Sequence, residues 1–95
     1  MDTCVCREAL RHSFATVLEA VHRAQDMGVI VANSELLAQS AEKLMRLYRC
    51  RTCGTVWAEA CYCSGHMEFY YLFPAPPTGD VVRWLHEEAA GLPPS

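Results

Sequence analysis

Apolar and polar positions change period twice along this chain. From Arg7 to Met27, Leu10, Phe14, Val17, Val21 and Ala24 recur three and four apart, the stripe of an amphipathic helix. Gly28 is a natural C-terminal stop, and Val29-Ile30-Val31 reads as an apolar connector or short strand. Asn33 or Ser34 can cap a second helix running to about Leu47, with Leu37, Ala41, Leu44 and Tyr48 on its stripe and Leu36, Met45 and Leu47 alongside. Two helices so closely joined predict an antiparallel helical hairpin over residues 7–47.

From Tyr48 to Phe73 the chain turns rich in Tyr, Trp, Phe, Val and Cys, which predicts strands near 47–51, 55–61 and 67–73. The Cys50-Arg51-Thr52-Cys53-Gly54 turn joins the first two, and Cys63-Ser64-Gly65-His66 joins the last two. Met67, Phe69, Tyr71 and Phe73 alternate onto one face of the last strand, with Tyr70 and Leu72 on the other. A strand apolar on both faces is either covered twice or offers one face to a partner. Pro74-Ala75-Pro76-Pro77 breaks the pattern. Thr78 or Asp80 then opens a short helix within 78–90 carrying Val81, Val82, Trp84, Leu85 and Ala89, and 91–95 is a tail. The predicted fold is α+β, one domain over 1–95: an N-terminal helical hairpin, a small antiparallel zinc-ribbon-like sheet over 48–73 and a C-terminal helix.

Composition narrows the class. Ninety-five residues leave room for one core, and 52% hydrophobic with 20% charged residues is a globular balance. No run approaches the roughly 18 apolar residues of a membrane span. The start, Met1-Asp2-Thr3-Cys4-Val5-Cys6, lacks a basic region followed by an apolar run. These features predict a cytoplasmic protein whose thiols stay reduced, so its six cysteines read first as metal ligands rather than disulfides. The formal charge of −3 would become about −5 with one zinc on four thiolates, which disfavours non-specific nucleic-acid binding.

Cys50-x-x-Cys53-Gly54 carries the clearest chemistry. Two thiolates at this spacing reach one tetrahedral ion from a tight turn, and the glycine lets backbone N–H groups face the sulfurs. The knuckle is half a site. Cys63 and His66 repeat the two-residue gap and complete a Cys₃His set of Cys50, Cys53, Cys63 and His66. Cys61 competes, since Cys61 and Cys63 with the first pair make a Cys₄ set, and Cys4 and Cys6 can wrap back as the missing ligands, form a second site with Cys61, or stay free thiols at the N-terminus. The cofactor implied is a structural zinc.

Catalytic patterns are missing. His66-x-Glu68 has no downstream Pro-Cys-x-x-Cys, and His86-Glu87-Glu88 has no second histidine at the metalloprotease spacing. No nucleophile elbow or phosphate loop occurs. The chain therefore reads as a non-enzyme, a zinc-stabilised protein-interaction module. Trp57, Glu59, Glu68 and Tyr70 are its candidate partner-binding residues. Two alternatives stand beside it. Arg46, Arg49, Arg51 and Lys43 with nearby aromatics suit a nucleic-acid-binding zinc ribbon acting as a small regulator, and the extra cysteines suit a metal or redox sensor.

Tyr48-Arg49-Cys50-Arg51-Thr52-Cys53-Gly54-Thr55-Val56-Trp57, with the later Tyr71-Leu72-Phe73-Pro74 and Trp84-Leu85, resembles small bacterial immunity-type proteins that neutralise toxins of interbacterial competition. The resemblance spans roughly 48–85. It implies binding rather than catalysis and a protein partner such as a basic toxin. The cysteines at 4, 6, 61 and 63 depart from the pattern.

Overall fold

The computed structural model describes residues 4–21, 24–64 and 67–93. Among these, four helices, α1 (Val5–Ala9), α2 (Val17–Val21), α3 (Ala24–Ala32) and α4 (Val81–Glu87), surround four strands, β1 (Ser34–Ser40), β2 (Met45–Cys50), β3 (Val56–Ser64) and β4 (Met67–Pro74). The strands form an antiparallel meander in the order β1-β2-β3-β4. The α+β class and the closing helix agree with the sequence pattern.

The element boundaries differ in two places. The helix expected over 7–27 is interrupted, because residues 16–19 form a capping box that starts a helix of its own. The Glu19 N–H donates to Thr16 Oγ1 at 3.3 Å, while Glu19 Oε1 accepts from the Thr16 N–H at 3.2 Å. Ala15 N–H and the Ser13 hydroxyl also donate to that oxygen at 2.9 Å. Led by the Ser13 hydroxyl, these donors hold the Glu19 carboxyl below its ordinary range. Gly28 and Val29-Ile30-Val31 are not a stop and a connector but the body of α3. That helix ends where the Asn33 N–H bonds back to Val29 and Ile30 and the Ser34 hydroxyl caps the Ile30 carbonyl at 2.6 Å.

The second correction is larger. Residues 34–47, read as a helix, are the β1–β2 hairpin. Its register runs from Ser34↔Cys50 to Ser40↔Met45, with an irregularity between Leu36 and Ala38. The tight turn places Leu44 at φ 56°, and the Lys43 N–H donates to Ser40 Oγ at 3.3 Å. The decisive contacts are non-local. Met45 and Leu47 alternate inward with Arg46 outward, and Leu47 pairs with Ala58 in the sheet centre. Burial of that pair outweighs the helix preference of the local residues.

Alternation gives the sheet two covered faces. Met45, Leu47, Ala58, Ala60, Tyr71 and Phe73 pack against Val17 and Ala20 of α2 and against Leu85 and Ala89 at the C-terminal helix. On the opposite face Cys50, Trp57 and Leu72 meet Cys6, Ala9 and Ile30 of α1 and α3. The double apolarity of β4 is thus accounted for by burial at Tyr71, Leu72 and Phe73. Asp80 caps α4 by accepting the Arg83 N–H at 3.0 Å, which sets Leu85 into the core. The Tyr71 hydroxyl accepts the Leu92 N–H at 2.9 Å and ties down the following segment.

Candidate metal centre

The centre is built where β2 turns into β3. The Cys50 N–H donates to the Thr55 carbonyl and the Gly54 N–H to the Cys50 carbonyl, both at 2.9 Å, and close the knuckle. Gly54 sits at φ 79°, a left-handed conformation that an L side chain would strain. The Arg51 N–H donates to the Asn33 carbonyl at 2.9 Å, anchoring the turn to the end of α3.

Across from the knuckle, α1 brings the other two ligands. Cys4 is its N-cap in extended geometry, and Cys6 lies inside its first turn. The sulfurs of Cys4, Cys6, Cys50 and Cys53 all lie within 4.8 Å of one another, with Cys4 and Cys50 at 3.5 Å. A tetrahedron with zinc–sulfur bonds of about 2.3 Å has edges of about 3.8 Å, so the cluster matches a tetrathiolate site to within small side-chain shifts. Cys6 and Cys50 are fully buried, Cys4 is half-buried and Cys53 is exposed.

A shell of donors supports the sulfurs. The Trp57 indole N–H donates to Cys6 Sγ at 3.2 Å. Asn33 Nδ2 donates to Cys50 Sγ at 3.6 Å and to Thr52 Oγ1 at 2.7 Å. Cys53 Sγ lies 3.1 Å from Thr55 Oγ1. Such contacts favour thiolate and orient it. Burial opposes ionisation of Cys50, yet the backbone N–H groups of Cys53 and Thr52 outweigh it and bring this thiol down to about 6. Burial pushes Cys6 well up despite the Trp57 donor. At Cys4 the Cys6 N–H acts downward, but burial and the sulfurs of Cys50 and Cys53 raise the thiol. Four thiols this close cannot all ionise without a cation between them, and a divalent ion would supply that charge. Four sulfur ligands leave no open coordination position, which is the pattern of a structural rather than a catalytic site.

The expected ligand set is thereby redistributed. Cys50 and Cys53 are in the cluster, and Cys4 and Cys6 provide its second half. Cys63 is not with them. It lies seven residues along β3 from Val56, about 23 Å away at the rise of an extended strand. Cys61 lies on the same distant part of β3, next to Cys63. His66 falls outside the described residues. Local spacing favoured Cys63, whereas the true proximity comes from the docking of α1 on the sheet, which the Cys4-x-Cys6 pair only hinted at. Asn33 and Thr55 had no sequence signal as supporting residues.

The expected partner-binding residues also separate. Trp57 is 0% exposed and belongs to the sulfur shell, and Glu59 is 7% exposed beside Arg46 at 3.5 Å, so neither presents a surface. Glu68 is exposed, and Tyr70 is 49% exposed. No described helix is long and apolar enough to cross a membrane. Compared with family models, curated proteins and solved structures, the chain matches none.

Proposed function

We propose that this protein is a zinc-stabilised protein-interaction module without catalytic activity, of the kind that inhibits a toxin. The observation that carries the reading is the convergence of Cys4, Cys6, Cys50 and Cys53. A closed tetrathiolate binds α1 to the sheet and adds stability to a chain whose core is small. A site with no free ligand position has nothing to offer a substrate, so the purpose of the fold is sought on its surface. There, Glu68 and Tyr70 lie on one face of β4, and the acidic chain suits a basic partner.

The nucleic-acid reading is the weaker of the two. Arg46 is paired with Glu59 at 3.5 Å and Arg49 with Glu35 at 3.9 Å, while the Lys43 ammonium donates to the Ala89 carbonyl at 2.9 Å. With three of the four cations engaged and only the exposed Arg51 left, the cluster makes a poor phosphate track.

The test is co-purification with a basic toxin encoded beside this chain, followed by the Glu68→Lys variant. The expected result is a stable complex whose affinity falls about tenfold or more on charge reversal, mostly through a slower on-rate. Absence of a complex, together with salt-sensitive binding to DNA or RNA, would replace this reading with the nucleic-acid one.

A further inference from the structure

Two cysteines remain outside the thiol cluster, and they touch each other. Cys61 and Cys63 are two apart on β3, so both side chains share one face, and their sulfurs are 3.5 Å apart. They lie where the β3–β4 ribbon outruns the rest of the sheet. Pairing of β2 with β3 ends at Arg46↔Glu59, while β3 and β4 continue to Ser64↔Met67. Cys63 is exposed and Cys61 half-buried. Opposite them on the same face stand Glu68 and Tyr70. Among the described residues no third metal-ligating side chain joins the two sulfurs.

We propose that Cys61 and Cys63 form a reversible thiol–disulfide site that exchanges with small disulfides of the glutathione type. In the forward direction the exposed Cys63, as thiolate, attacks one sulfur of glutathione disulfide. That S–S bond breaks, a Cys63–glutathione mixed disulfide forms, and one glutathione thiolate leaves. Cys61 then gives up its proton to solvent and attacks the Cys63 sulfur, expelling the second glutathione thiolate. The chain loses two hydrogens and two electrons, and one glutathione disulfide becomes two glutathione thiols.

The roles follow from position. Cys63 is the exposed sulfur and thus the nucleophile, and the half-buried Cys61 is the resolving thiol. Burial pushes the Cys61 thiol up to about 11, and its contact with Cys63 acts the same way, so Cys61 keeps its proton until the second step. Two residues of extended strand span about 6.6 Å between α-carbons, close to the upper limit of disulfide geometry, so closing the bridge puckers the strand. The ribbon end, free of β2, can accommodate that distortion, and a bridge formed this way is readily reduced.

The experiment equilibrates zinc-supplemented wild-type protein over a series of glutathione to glutathione disulfide ratios, quenches with acid, alkylates, and maps the peptides by mass spectrometry. The expected result is a loss of two hydrogens confined to the peptide holding Cys61 and Cys63, reversed by dithiothreitol. The Cys61→Ser variant instead retains glutathione on Cys63, roughly tenfold more than wild type, because intramolecular resolution is gone. The proposal is overturned if that peptide stays reduced at every ratio, if the mixed disulfide persists in wild type, or if either cysteine bridges to a different one. Oxidation of Cys4, Cys6, Cys50 or Cys53 among themselves in the same map bears on the zinc reading alone and leaves the result at Cys61 and Cys63 standing.

Discussion

Trp57 shows how far a single residue can be read without its neighbours. An aromatic three residues past a Cys-x-x-Cys-Gly turn looks like an interface anchor, yet here its indole N–H points at Cys6 from the far end of the chain. Replacing it by Phe keeps an aromatic ring in the site and deletes that donor. Trp57→Phe is expected to lower zinc affinity about 10–100-fold in a chelator competition, the usual cost of losing an outer-shell partner, and an unchanged affinity would remove Trp57 from the site. Glu59 also takes its role from its surroundings. Its acidity suggested a partner contact, but it is buried, and burial raises its carboxyl above the ordinary 4.5 against the pull of Arg46 and the Tyr48 hydroxyl. The folded state thus holds this proton more tightly than the unfolded chain. Its stabilising contribution is complete below 4.5 and is lost as pH rises through the raised folded value. Glu59→Gln is expected to melt above wild type near neutral pH, with the advantage fading as the pH falls from the raised folded value toward 4.5. A lower melting temperature at neutral pH would mean that the Arg46 pair outweighs desolvation.

Among the elements, the sheet core and the last helix were legible because their signals are local: aromatic and β-branched runs, a knuckle turn, an Asp cap after prolines. The 34–47 hairpin was not. Ser34-Glu35-Leu36-Leu37-Ala38-Gln39 and the residues that follow favour helix locally, and what makes them strands is the pairing of Leu47 with Ala58, eleven residues further on. Leu44 distinguishes the two conformations. At φ 56° and 57% exposed, it occupies a turn position that glycine accepts more easily. Leu44→Gly is expected to leave stability unchanged or raise it by up to about 1 kcal/mol in urea unfolding, since relief of the left-handed strain offsets the added chain entropy. In a helix interior the same change would cost about 1 kcal/mol, so a loss of that size would argue against the hairpin. The break between α1 and α2 has a similar lesson. The Leu10–Phe14–Val17–Val21 stripe continues across it, while the capping box that divides it hides in Thr16 and Glu19.

At the scale of the whole molecule, zinc would act as a clasp between the N-terminal segment and the middle of the chain. Half of the ligands come from the first turn of α1 and half from the β2–β3 turn, 44 residues apart at the closest between Cys6 and Cys50. That closure could not be chosen from spacing, which ranked Cys63 and His66 first and kept Cys4 and Cys6 as alternatives. Only the burial of α1 against Trp57 and Leu72 decides between them. Such a clasp would also let the α1 face of the sheet be covered by so short a helix, five residues with two cysteines in or beside its first turn. The most direct measurement is the metal content, by native mass spectrometry, of protein purified under reducing conditions without added metal, comparing wild type with Cys6→Ser and Cys63→Ser. One zinc per chain in wild type and in Cys63→Ser, lost in Cys6→Ser, is the result expected here. Zinc kept in Cys6→Ser and lost in Cys63→Ser, or a metal-free wild type lighter by two hydrogens for each disulfide, would contradict it.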